Sequence, residues 1–415
     1  MKENSPSSSV GAYYPWLDCL RGLSWVLVMI GHTAPYGYVA RMGVGIFFGI
    51  SGWLITQIIL KQTETNWSLK NFYTRRCLRI LPLFYFIIIA AILVGFLLPN
   101  WKSIFPFLPP ERNEHQILSY LFSFSAEFWR GGGGGLLVGH CWSLCVEERF
   151  YVFWPLILTL WPSHKNARRA LIFFMIVVWA VALRRLSCGE ITIALWAMPF
   201  PLLMGCALAI FFPKARFAFS KYATLAIAAI IFGIYLFYAA GKETISYTVG
   251  TFSTKAGLMT MALVACAIWT AGEPRNILFR LMKELGKLSY AAYLIHPIFA
   301  FIAIAVAKKI GYVWVGPVLG VAMCAPVAYM IHRWIEVPIL NSRSIVERST
   351  WGSYLCACLQ VIPISIGIIF IFPWNSLGLE IRALPNLFPV LGLVAIWIIT
   401  AWVCNNRKTD PIPCT

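Results

Sequence analysis

Charge is what this sequence lacks. Only 12% of its 415 residues are Asp, Glu, Lys or Arg, while 60% are hydrophobic and the mean hydropathy is +0.74. A soluble domain of this length has no use for so much apolar sequence, because a single compact core saturates well before that. Acidic residues are scarcest, 16 against 34 basic, for a net charge of +18. That excess would fit nucleic acid if it were gathered on one surface, but it falls in short blocks between apolar stretches, the positive-inside pattern of a membrane protein. No nucleic-acid partner is expected. Other absences narrow the class further. Met1–Val10 has no basic region, short apolar core or small-residue cleavage site, so insertion is expected to start at the first spanning helix and not at a signal peptide. No internal repeat is visible. The 12 cysteines are scattered, and Cys206, Cys266 and Cys324 read as small buried hydrophobes. His140, Cys141 and Cys145 lie close together without the spacing of a zinc site, so no metal is expected.

What remains is a series of apolar stretches of about 18 to 22 residues, the length a helix needs to cross a bilayer. Twelve can be placed, at about 16–33, 44–60, 80–98, 143–161, 170–183, 191–212, 222–240, 253–270, 289–307, 313–334, 351–372 and 387–403. The expected fold is all-α and polytopic. With the N-terminus in the cytoplasm, 21 Lys and Arg fall inside and 11 outside, which favours both termini inside. One connection is long. Residues 99–140 lie outside in this topology and contain Pro106, Pro109, Pro110 and the run Gly131 to Gly135, fitting either a hinge near a ligand or a slack surface loop.

The few ionisable residues in or beside these spans cluster. Arg21 and His32 share the first one. Eleven steps of about 100° bring them to within roughly 20° of one helix face, about 16 Å apart along the axis. Such residues in a membrane helix normally face a polar cavity; the alternative is an Arg and a His snorkelling to opposite edges. Arg76 and Arg79, three apart at the inner edge of the third span, share a face if the helix starts before Pro82. They read either as a phosphate clamp or as a basic block on lipid headgroups. Entering the fourth span, Ser143 is a plausible N-cap and Glu147 and Glu148 follow in the favourable first turn. One of those carboxylates is expected to orient or charge-balance a catalytic histidine. Tyr293 and Pro297 are one turn apart, and His296 is either a second polar group in a cavity or interfacial. His332 to Pro338 closes the tenth span.

In order, these segments resemble the acyltransferase-3 family of integral membrane O-acyltransferases. The matching pieces are Leu17-Asp18 through His32 with its R-x10-H spacing, Phe47 through Ile55, Phe72 through Pro82, His140 through Tyr151, Leu288 through Pro297, and Trp334-Ile335-Glu336-Val337-Pro338, spanning residues 12–345. Cys19 stands where the family usually has Gly, and Trp53, expected to reshape the cavity, where it usually has Phe. The resemblance implies a ten-helix core over 12–345, after a polar tail at 1–11, with 346–415 adding about two C-terminal spans. It implies transfer of an acyl group, often acetyl, from cytoplasmic acyl-CoA as co-substrate to a hydroxyl of a cell-surface saccharide or glycolipid, at a bacterial inner membrane. His32 is then the general base, an acyl-His intermediate remaining open, and Glu147 its partner. Arg21, Arg76, Arg79, Tyr73, Ser143, Trp142, His296 and Tyr293 are the substrate-binding set. The other reading of the Arg21–His32 stripe is the translocation path of a transporter or flippase.

Overall fold

An apolar segment in a bilayer can satisfy its own backbone polar groups only as a helix or a closed barrel, and helix is the only regular structure among the described residues. The computed structural model describes residues 13–34, 37–62, 69–97, 139–160, 164–187, 199–212, 221–240, 249–270 and 272–366. The helices are α1 (Pro15–Thr33), α2 (Gly37–Gln62), α3 (Leu69–Leu97), α4 (Trp142–Leu160, after a 3-10 turn at Gly139–Cys141), α5 (His164–Ser187), α6 (Pro199–Phe211), α7 (Lys221–Ala240), α8 (Val249–Trp269), α9 (Ile277–Ile310) and α10 (Val315–Ile331). A π-helical turn at His332–Glu336 leads into short α11 (Val337–Asn341) and α12 (Arg343–Arg348), then α13 (Thr350–Ile366). The fold is thus an all-α polytopic membrane protein, as the sequence predicts. Of the two expected C-terminal spans, α13 forms much of the first; the stretch 387–403 lies outside the described residues, as does most of the 99–140 connection.

By length and composition, Gly37–Lys61, Ile277–Ile310 and Val315–Arg348 suffice to cross a membrane among the described residues, and Phe200–Phe211, Thr224–Ile234, Gly257–Trp269 and Trp351–Ile364 are shorter apolar helices. α1, α3 and α4, with 19, 29 and 19 residues, are long enough but carry the ionisable side chains of the site described below. α9 begins well before the expected start at Ser289. Asn276 caps it by accepting from the Leu278 N–H at 2.8 Å, and Gly311 ends it at φ 83°. At 34 residues it runs about 51 Å, so its first turns, with Arg280, Lys283 and Lys287, continue beyond an apolar core of about 30 Å.

Glycines set how the helices cross. α1 and α9 run in the same direction and touch at Gly22 and Gly286; a Cβ at Gly22 would overlap the Met282 carbonyl, and one at Gly286 the Asp18 carbonyl. α2 and α6 meet in the same manner, a Cβ at Gly52 overlapping the Leu202 carbonyl and one at Gly205 the Gly49 carbonyl. Small residues that let backbones meet are the usual means of association where lipid is as apolar as the side chains. Gly286→Val is therefore expected to lower stability by about 1–3 kcal/mol, read as an earlier thermal unfolding midpoint in detergent. An unchanged midpoint would mean that the α1–α9 crossing contributes nothing.

Candidate active site

Five helices, α1, α2, α3, α4 and α9, line an open cavity of about 740 Å³, the open space at its mouth included. α2 supplies one wall through Val44, Phe47, Phe48, Ser51, Leu54 and Ile55, a stripe at helical spacing. Trp53 is two residues, about 200°, from Ser51 and faces the other way. It is buried edge-on against Tyr14 at 5.1 Å between ring centres, and so does not shape the cavity as expected.

One end of the cavity is basic. Arg21, Arg76 and Arg79 all line it, with Glu147 the only acidic residue in the lining. Arg21 Nη1 donates to Asp18 Oδ1 at 3.0 Å, and Asp18 also accepts from the Tyr13 hydroxyl at 2.9 Å. The remaining guanidinium N–H groups of Arg21 are left for the cavity. The Arg76 guanidinium lies over two rings, 5.1 Å from the centre of Tyr151 and 5.6 Å from that of Phe72. α3 starts at Leu69, before Pro82, so Arg76 and Arg79 share a face as expected. Arg75, one position away, turns outward and donates to Glu347 Oε1 at 2.6 Å. Three fixed positive groups at one end of a cleft suit a phosphate-bearing ligand.

The middle is a hydroxyl and carboxylate cluster. Ser51 Oγ donates to Glu147 Oε1 at 3.0 Å; the Tyr151 hydroxyl lies 2.9 Å from Ser51 Oγ and 3.1 Å from Glu147 Oε2 and donates towards both. Glu147 was expected beside His32. No hydrogen bond joins the two, because the first turns of α4 carry Glu147 to the depth of Arg21 and Ser51. The neighbouring Glu148 is 1% exposed on another side of the helix, and neither of its oxygens has a hydrogen-bond partner.

Behind Ser143 and Tyr293, outside the cavity lining, three histidines cluster, two of them packed on the Tyr293 ring. Ser143 Oγ lies 2.6 Å from the Tyr293 hydroxyl, which donates to the His140 carbonyl at 3.1 Å. The His296 ring is 5.0 Å from that of His32 and 4.9 Å from that of His140, centre to centre. His296 is wholly buried, while the His32 side chain at the end of α1 is exposed. Close as these rings are, no group among the described residues is placed to hold a metal ion.

Of the residues expected to bind substrate, Arg21, Arg76, Arg79, Ser143 and Tyr293 line the cavity and His296 stands behind His32. Tyr73 and Trp142 do not line it. The Tyr73 hydroxyl is spent on the Val152 carbonyl at 2.7 Å, and Trp142 packs edge-on to Phe48, 6.4 Å between centres, outside the lining. Ser51, Tyr151, Tyr290 and His140 escaped the sequence reading as site residues. Tyr151 was detectable as the i+4 neighbour of Glu147; Ser51, a small hydroxyl in an apolar helix, gave no such signal.

Residues 14–333 match the family model of the acyltransferase-3 group, described as an acyltransferase domain. The chain is 29% identical over 376 residues to the peptidoglycan O-acetyltransferase OatA of Listeria monocytogenes serovar 1/2a, covering 79% of this chain and 56% of that protein. It is 27% identical over 370 residues to the putative peptidoglycan O-acetyltransferase YrhL of Bacillus subtilis strain 168 (79% and 55%), and 27% identical over 372 residues to the O-acetyltransferase OatA of Staphylococcus aureus strain NCTC 8325 (79% and 57%). The chain thus spans about half the length of the curated relatives it matches. No solved structure matches it.

Proposed function

We propose, given that this chain belongs to the acyltransferase-3 family, that it is a membrane O-acetyltransferase moving acetyl from cytoplasmic acetyl-CoA to a hydroxyl of a cell-surface saccharide or glycolipid, with His32 as general base. The names of its relatives make a peptidoglycan saccharide the first acceptor to test. The observation that carries the reading is a cavity in an apolar bundle lined by three arginines and, at Ser143 and Tyr293, by hydroxyls, with the Tyr293 ring packed on His140 and His296 and the His296 ring on the exposed His32.

The arginines hold the CoA phosphates by charge-assisted hydrogen bonds. About 16 Å separates Arg21 from His32 along α1, a span the extended pantetheine arm crosses, so the thioester reaches the histidine. An alcohol is a poor nucleophile near neutral pH, and a neutral imidazole, with an unperturbed pKa of about 6.5, is suited to take its proton. His32 accepts the hydroxyl proton as oxygen attacks the thioester carbon, and returns it to the departing thiolate. The acceptor approaches from the outer side, near the 99–140 connection. Radiolabelled acetyl-CoA supplied to membranes tests this. Label in extracted glycan supports the reading, and label in neither glycan nor lipid, from protein that retains acetyl-CoA, would remove it.

This direction of transfer requires the N-terminus, and with it the Arg21 end of α1, on the cytoplasmic side. A membrane-impermeant maleimide should then reach Lys165→Cys only after the cells are opened. Nine of the 12 cysteines are described, eight buried and Cys358 half-buried, and the other three, Cys188, Cys404 and Cys414, are replaced by Ser beforehand. Labelling of intact cells would reverse the topology and with it the direction of transfer.

A further inference from the structure

With Glu147 engaged by Ser51 and Tyr151, no carboxylate among the described residues hydrogen-bonds His32. The ring that stands behind it is His296 of α9, and local sequence fixes which of its nitrogens holds the proton. Pro297 lies inside α9. It has no N–H, so it cannot serve as helical donor to the Tyr293 carbonyl four residues earlier. His296 Nδ1 occupies that place, 2.6 Å from the Tyr293 oxygen. A carbonyl only accepts, so Nδ1 carries the hydrogen and Nε2 keeps its lone pair. Nε2 is buried and has no hydrogen-bond partner among the described residues. Buried acceptors are rarely left so, and an unpaired one calls for an explanation.

Two imidazoles face His296. His140 packs on it edge-on, at 80° between ring planes. His32 stands 5.0 Å away, tilted by 41°. One N–H···N bond of about 3 Å between two imidazoles places their centres roughly 5 Å apart. His32 is exposed and makes no hydrogen bond among the described residues, so a turn of its ring can bring an N–H onto Nε2.

We propose that His296 Nε2 accepts a hydrogen bond from the His32 ring N–H that faces away from the substrate, and so holds His32 in the tautomer whose other nitrogen is the base. This rests on the reading of His32 as general base. The reaction balances without His296 gaining or losing a proton. The acceptor O–H breaks and its proton goes to His32; the new O–C bond forms; the C–S bond breaks; the thiolate takes the proton from His32. Throughout, the far N–H stays on His32, and its bond to His296 is strongest while His32 is charged. His296 touches no reacting atom and is a positioning residue.

Two amide variants separate this role from a structural one. Glutamine places its amide near the position of Nε2, asparagine near that of Nδ1. His296→Gln is expected to keep kcat within about threefold, whereas His296→Asn, which restores the bond to the Tyr293 carbonyl but leaves nothing at Nε2, is expected to lose about thirtyfold or more, with KM for acetyl-CoA unchanged in both. The reverse order, or equal losses, overturns the proposal in favour of the Tyr293 bond or simple packing. Undiminished transfer by His32→Ala would remove the underlying reading and this inference with it. If neither amide variant binds acetyl-CoA, the 15N spectrum of histidine-labelled wild-type protein, with its six histidines, decides. A protonated Nδ1 and an accepting Nε2 at His296 support the pairing, and a protonated Nε2 overturns it.

Discussion

His32→Ala is expected to lower acetyl transfer about 10²- to 10⁴-fold, the usual contribution of a positioned general base, while expression and acetyl-CoA binding stay near wild type. Of the three clustered imidazoles, His32 is the exposed one; His296 is wholly buried and His140 half-buried, its Nδ1 enclosed. Only His32 therefore presents itself to an incoming hydroxyl. It ends α1, eleven residues and about 16 Å from Arg21, so truncation there leaves the basic end of the cavity intact. A reduced acetyl-CoA affinity equal to the loss of transfer would make His32 a binding residue. Transfer at the wild-type rate would end the mechanism.

The second large effect is at Arg76. Arg76→Ala should weaken acetyl-CoA binding by about 10- to 150-fold, the equivalent of about 1.5–3 kcal/mol for one charged hydrogen bond. Arg76→Lys should recover little of it, because a lysine does not reproduce a planar guanidinium placed over the Tyr151 and Phe72 rings. Arg75 is the control that decides between the two readings of this basic block. It belongs to the same run but leaves the cavity for Glu347. If the block serves only topology or lipid headgroups, Arg75→Ala and Arg76→Ala should behave alike. If it holds phosphate, Arg75→Ala should bind acetyl-CoA normally. Titration of purified protein with acetyl-CoA reads all three variants.

How much of this was legible beforehand follows from the physics of each signal. Long apolar runs force helices, so fold class and most spans could be read directly. The R-x10-H spacing and the Arg76/Arg79 pair obey helical periodicity, and the structure puts all three arginines in one cavity. What failed were relations between helices. The family resemblance pairs Glu147 with His32, but the depth at which α4 packs against α2 is set by side-chain contacts far apart in sequence, such as Ser51 to Glu147 and Trp154 to Thr56. Trp53 is expected to reshape the cavity because it stands where the family usually has Phe, although its angle from Ser51 on α2 argues against that. His296 illustrates a signal that was present and unused. A proline one residue after a histidine frees the carbonyl that the histidine then takes, and this follows from the order of residues alone.

The glycine crossings have a mechanical consequence. Where Gly22 and Gly286 bring α1 and α9 together, and Gly52 and Gly205 bring α2 and α6 together, backbone rests on backbone, so sliding one helix along the other would drive carbonyls into neighbouring chain. On this side the cavity has the stiffer jaw, and it carries Arg21, Ser51, Tyr293, His32 and His296. The opposite jaw, α3 and α4, bears on it through side chains, which can change rotamer without such collisions. Any widening that admits a bulky donor and lets it go must therefore come from the jaw that carries Arg76, Arg79 and Glu147, with the histidines as the stationary reference.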